Sequence, residues 1–165
     1  TARAASSSFS AAERSRSSCE RPLEPTVDLE VESYRVGSPM APVLEEAFEY
    51  GRESFTAGRP WLEAMLDLTR RIQRDFVYDS KATTVTTQVS EVFALKRGVC
   101  QDFAHLMISC LRSLGLPARY VSGYLGPAEG EEVGEASHAW AQVLDGETGA
   151  LGVVGAHRSE HGARQ

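Results

Sequence analysis

Cysteine is scarce. The 165 residues hold three, at positions 19, 100 and 110, an odd number with no metal-type spacing. A disulfide framework is not expected, nor a structural zinc site, and no metal ligand set stands out among the four histidines. Long apolar runs are missing too. No stretch approaches the roughly 18 residues of a spanning helix, and the first residues lack the apolar core of a secretory signal. Basic runs are absent outside the extreme N-terminus, and 17 Lys and Arg against 23 Asp and Glu leave a formal charge of −6. That balance offers no phosphate footprint and argues against a nucleic-acid partner. The stretch "GYLGPAEG" has neither the glycine arrangement nor the lysine of a phosphate cradle, so no nucleotide and no other cofactor is expected. These absences together point to a reducing compartment, the cytoplasm, with no membrane partner.

What is present is an ordinary globular composition, 42% hydrophobic, in a length suited to one domain. Residues 1–25, rich in Ser, Ala and Arg, contain almost no large apolar side chain and are expected to be disordered, with Cys19 an incidental exposed thiol. The last eleven residues, "GAHRSEHGARQ", are polar and patternless and are expected to form a disordered tail over 155–165. One domain over 26–154 remains.

Within it the hydrophobic period changes once. Residues 27–36 alternate weakly and suggest an edge strand or extended lead-in. Val43, Leu44, Ala47, Phe48, Gly51 and Phe55 recur at helical spacing over 42–56. Pro60 opens a second helix with Trp61, Met65, Leu68 and Ile72 as its buried stripe and Arg70, Arg71 and Arg74 near its C-terminus, where cations suit the dipole. "DFVYD" reads as a short extended piece and the Thr-rich "SKATTVTTQ" as a loop, since threonine hydroxyls compete for backbone bonds. Thr87 is placed to cap a short helix over 88–97, with Val89, Val92 and Leu95 inward and Gly98 as its left-handed stop. Another helix starts near Cys100, faces the core with Phe103, Leu106 or Met107, Cys110, Leu111 and Leu114, and ends at Gly115 before Pro117.

After Gly115 the period falls to two. "PARYVSGYL" and "SHAWAQVL" read as strands flanking an acidic hairpin loop over 127–135, and 151–154 is a candidate third strand. In the second strand His138, Trp140, Gln142 and Leu144 share one face, and Ala139, Ala141 and Val143 the other. The expected architecture is α+β: a helical block over 42–114 packed on a small, incomplete antiparallel sheet.

Cys100 opens its helix, where unpaired backbone N–H groups and the dipole favour thiolate and are placed to serve a developing oxyanion. On motif chemistry alone it reads either as a nucleophile or as a buried structural thiol. Cys110, mid-helix on the apolar face, reads as core. A nucleophilic thiol needs a base. His138, on a strand with small neighbours, fits that part best. His105 follows Cys100 by five positions, about 140° around the helix, and suits packing or support. His157 and His161 lie in the patternless tail.

The run "RDFVYD…VFALKRGVCQDFAHLMISCLRSLGLPARYVSGYL…SHAW", across about residues 39–145, resembles the bacterial transglutaminase-like superfamily. The resemblance implies a papain-like α+β core, Cys100 as nucleophile and His138 as base of a catalytic dyad. It also implies acyl transfer or amide and peptide hydrolysis through a thioester, on a peptide or protein substrate carrying an amide acyl donor. Such proteins carry an aspartate on the strand after the histidine. The matching stretch here is "GALGVVGAH", and Val154 stands about where that aspartate would fall. Asp145, seven positions after His138, would be more than about 20 Å along a strand unless the chain folds back. A catalytically inactive scaffold serving protein interaction is therefore the alternative reading.

Overall fold

Residues 100–113 form a helix that is covered on nearly every side: Asp102, Phe103, Ala104 and the whole run Leu106–Leu111 are buried. That is a central helix, and the other elements are arranged around it. The computed structural model describes residues 29–124, 137–145 and 149–154, so the expectations for 1–25, for the hairpin loop and for the 155–165 tail lie outside the described residues. In chain order the elements are α1 (Leu29–Ser33), α2 (Glu45–Arg52), α3 (Trp61–Asp75), β1 (Val77–Tyr78), α4 (Val89–Leu95), β2 (Arg97–Gly98), α5 (Cys100–Ser113), β3 (Ala118–Tyr124), β4 (Ser137–Asp145) and β5 (Gly149–Val154). The fold is α+β. Helices precede a three-stranded antiparallel sheet of order β3-β4-β5, and β1 and β2 form a separate parallel pair.

The core joins α3, α4, α5 and the inward residues of the sheet: Met65, Leu68, Val92, Met107, Leu111 and Ala141 all belong to it. An aromatic node fixes the helices. The Phe76 ring meets Tyr50, Phe93 and Phe103 edge-on at 5.9, 5.9 and 6.2 Å, the geometry favoured by ring quadrupoles. Beside it Arg71, near the C-terminus of α3 as its sequence position suggested, is buried. Its guanidinium donates to the Tyr50 carbonyl at 2.8 Å, the Ser54 hydroxyl at 3.0 Å and the Glu53 carboxylate at 2.6 Å, which satisfies a charge that burial would otherwise penalise.

Several local expectations are corrected. The lead-in contains a short helix, α1, where a strand was expected. Trp61 is 42% exposed, so the buried stripe of α3 begins at Met65. In α4 it is Phe93 that turns inward, while Leu95 is exposed. Thr87 does not cap α4; Gln88 holds the N-cap without a side-chain bond, and the Thr87 hydroxyl accepts the Thr84 N–H at 2.8 Å instead. The left-handed stop is Lys96 at φ 52°, not Gly98. The helix consequently ends early enough for Arg97–Gly98 to pair with Val77–Tyr78. Leu144 is buried despite sharing parity with His138, because a register shift between Val143 and Leu144 interrupts the alternation.

Candidate active site

Cys100 is the first residue of α5 and its thiol is half-buried. Helix geometry explains its setting. The first intrahelical donor is Phe103, whose N–H reaches the Val99 carbonyl at 3.0 Å. The amides of Cys100, Gln101 and Asp102 precede it in the first turn, where no carbonyl lies one turn back to receive them. The Val99 N–H is taken by the Asp102 carboxylate, Oδ2, at 2.8 Å, so the carboxylate fastens the turn that presents the cysteine.

Asp102 does more. It is 1% exposed, and the same Oδ2 accepts the Thr83 hydroxyl at 2.6 Å. Its other oxygen, Oδ1, is buried and has no hydrogen-bond partner among the described residues. A Cβ placed on Gly98 would stand 2.7 Å from Oδ2. Glycine is thus required at 98 for close approach of a carboxylate, since its φ is ordinary. Sequence reasoning missed this role of Asp102, although an acidic residue at the third helical position is the recognised signal for it.

Strand β3 also comes near the cysteine. His105, one turn further along α5, stacks on Tyr120 with ring centroids 4.9 Å apart. Burial raises the Tyr120 pKa, and nearby Cys100 adds to the rise. The His105 pKa is lowered by burial; Asp102 opposes that shift and Arg112 reinforces it. His105 therefore packs its ring against Tyr120, in keeping with its angular offset from Cys100. Tyr120 carried no distinguishing signal in the sequence beyond its place in an alternating strand.

His138 is the second residue of β4, with its Nδ1 buried and its ring 6.4 Å from that of Trp140. Antiparallel pairing sets it opposite Gly123, and sets Ala141 opposite Tyr120. The stretch Tyr120–Gly123 thus links the surroundings of Cys100 to those of His138. A Cβ on Gly123 would meet the Trp140 ring at 3.2 Å, so the glycine makes room on this face of the sheet. Ala139, Ala141 and Val143 are buried towards the core while His138, Trp140 and Gln142 are half-buried on the alternate face. Pairing brings the histidine's strand beside the one near the cysteine, but does not by itself set ring against sulfur.

Val154 pairs with Ala141, three residues along β4 from His138. Asp145 closes β4 at the far end, paired with Gly149, so the return of the chain carries β5 back towards His138 and leaves Asp145 behind. Cys110 is buried in the core, as expected, and burial pushes its thiol up to about 12. Among the described residues no group of His, Cys, Asp and Glu is gathered to hold a metal ion.

With this geometry in view, the comparison with known proteins is decisive on family. The model of the transglutaminase-like superfamily matches residues 51–149. The chain belongs to the transglutaminase-like superfamily. An uncharacterized protein of Mycobacterium tuberculosis (strain H37Rv) is 50% identical over 106 residues, 61% of this chain and 34% of the relative. One of Mycobacterium leprae is 39% identical over 99 residues, 58% of this chain and 32% of the relative. The chain spans about a third of the length of these relatives. Among solved structures, a candidate cysteine protease from Cytophaga hutchinsonii superposes with a TM-score of 0.66 at 26% identity, covering 81% of this chain and 45% of that one. The periplasmic domain of TgpA from Pseudomonas aeruginosa, bound to ethylmercury, gives 0.58 at 25% identity, covering 81% and 50%. No described helix is long and apolar enough to cross a membrane.

Proposed function

We propose that this chain is a thiol-dependent acyltransferase or amide hydrolase, with Cys100 as nucleophile and His138 as general base. The observation that carries the reading is the position of Cys100: a half-buried thiol as the first residue of the central helix, in a chain of this superfamily. The substrate class is a peptide or protein amide. The sulfur attacks the amide carbonyl carbon as its proton passes to the imidazole. The oxyanion develops beside the first-turn amides of α5, whose donors are fixed before reaction begins. The C–N bond then breaks, the imidazolium returns its proton to the leaving amine, and a thioester remains on Cys100. Water or a second amine, deprotonated by His138, releases the acyl group.

The proposal keeps the chain in the cytoplasm on the strength of its unpaired thiols, while the TgpA domain shows that the same fold also serves in a periplasm. A second reading, an inactive scaffold for protein interaction, is favoured by one observation: the β5 segment Gly149–Val154 contains no carboxylate.

Incubation with a p-nitrophenyl peptide ester, followed by intact mass measurement and peptide mapping, separates the two. The enzyme reading expects one acyl adduct on Cys100, lost in Cys100→Ala and formed about 10²–10⁴ times more slowly in His138→Ala. An adduct spread over several thiols, or a rate indifferent to His138, favours the scaffold. The dyad has its own check by NMR: alkylation of Cys100 should move the His138 ring resonances, and unmoved resonances would separate the two residues.

A further inference from the structure

The Thr-rich loop between β1 and α4 is tied down at its start and in the middle. At its start the Asp79 N–H donates to the Gly98 carbonyl at 2.9 Å, and the Asp79 carboxylate holds Arg97 at 3.1 Å. In the middle the Thr83 hydroxyl is bound to buried Asp102 at 2.6 Å, and the Gln101 side-chain amide donates to the Val85 carbonyl at 3.2 Å. Asp102 and Gln101 are the two residues that follow Cys100. The loop therefore lies across the first turn of α5 beside the cysteine, and Tyr120 also stands near Cys100.

At the point where Gln101 holds the loop, the Val85 side chain is 76% exposed. Exposed apolar side chains are ordinary on a protein surface, but this one sits on an anchored loop whose bonds reach the two residues after Cys100, where it is open to a bound molecule. Its carbonyl is bonded inward, so the residue is held in place and not merely at a loose loop tip. Tyr120, 39% exposed, offers a second partly apolar surface near the thiol.

Resting on the acyl-transfer reading, we propose that Val85 is the specificity-determining wall of the acyl-donor cleft and selects donors with an apolar side chain next to the reacting carbonyl. Asp102, through Thr83, is the positioning residue that holds this wall against the nucleophile turn. The donor side chain packs on Val85 as its carbonyl reaches Cys100, and a charged side chain in that place loses hydration without gaining a partner.

The test compares N-acetyl-Leu, N-acetyl-Glu and N-acetyl-Lys p-nitrophenyl esters, reading the rate of Cys100 acylation by mass. The full chain should acylate with the Leu ester about tenfold faster than with the Glu ester. Val85→Glu, at an exposed position that leaves the fold intact, should lower the Leu rate about tenfold and turn the preference towards Lys. Thr83→Val removes one hydroxyl of similar size and should weaken the Leu preference through KM, with iodoacetamide alkylation of Cys100 within about twofold of the unaltered chain. A Leu-to-Lys ratio unchanged by Val85→Glu, or a full preference in Thr83→Val, would overturn the inference. If no ester acylates Cys100, the acyl-transfer reading fails by itself. The wall is then judged in Cys100→Ala by hydrogen exchange of residues 79–88 with the matching amino-acid amides. Greater protection by the Leu amide than by the Glu amide supports it, and equal protection overturns it.

Discussion

Gly98 and Asp102 stand so close that a methyl group on the glycine would lie 2.7 Å from the carboxylate oxygen Oδ2. The same oxygen holds the Val99 amide and the Thr83 hydroxyl, so the contact reaches both the nucleophile turn and the loop beside it. Gly98→Ala must push the carboxylate off one or both donors. We expect a loss of about 1–3 kcal/mol in denaturant unfolding, the usual cost of forced repacking at a filled site. Faster hydrogen exchange at Val99 and in the 79–88 loop should accompany it. Unchanged stability with unchanged exchange would show that Asp102 does not act as a brace.

The two described cysteines should part company under alkylation. Cys110 is fully buried and its thiol pKa is pushed up to about 12, so at neutral pH it is protonated and inaccessible. Brief iodoacetamide treatment of the native chain, mapped by peptide to keep Cys19 apart, should label Cys100 and spare Cys110. Cys110→Ala should cost about 1 kcal/mol or somewhat more through lost packing and leave Cys100 labelling intact. Equal rates at both thiols would contradict the burial.

His105 gives a pH signature. Its folded pKa is lowered, chiefly by burial, so the unfolded chain binds a proton more readily as pH falls through the ordinary histidine range near 6.5. Stability should therefore decline as pH falls from about 6.5 towards the lowered value, and level off for this group below it. His105→Phe, which keeps a ring against Tyr120, should flatten that slope. The carboxylates of Asp75 and Asp79, held below their usual range by Arg74 and by the Lys81 amide and Arg97, contribute at lower pH and should be unaffected. A slope indifferent to the substitution would assign it elsewhere.

The register of β5 predicts the outcome at Val154. Because Val154 lies opposite Ala141 and not opposite His138, Val154→Asp should not supply an orienting carboxylate, and acylation of Cys100 should stay within about threefold, under 1 kcal/mol of barrier. A gain of a hundredfold would mean that the carboxylate reaches the imidazole despite the register.

Much of the layout was legible because it depends on short-range pattern. The change from helical to alternating spacing after Gly115 corresponds to the passage from α5 to β3, and Gly115 does take a positive φ of 78°. The ends of α4 were less legible. Lys96 adopts the left-handed turn at a cost that sequence preference would not choose, because stopping there frees Arg97–Gly98 to pair with β1, a contact between segments twenty residues apart. Arg71 does lie near the C-terminus of α3, but its burial was not legible for a similar reason: Tyr50, Glu53 and Ser54, from earlier in the chain, make it tolerable.

The sequence by itself determined the order and type of the principal elements and the family, and singled out Cys100 and His138 as candidates, since periodicity and a specific motif are local properties of a chain. Tertiary structure decided what surrounds them. It placed Asp102 between Val99 and Thr83, laid Tyr120 against His105, and set Val154 opposite Ala141. Each of these joins residues whose proximity depends on how helices and strands pack, and packing is fixed by the sum of many contacts that no short stretch encodes.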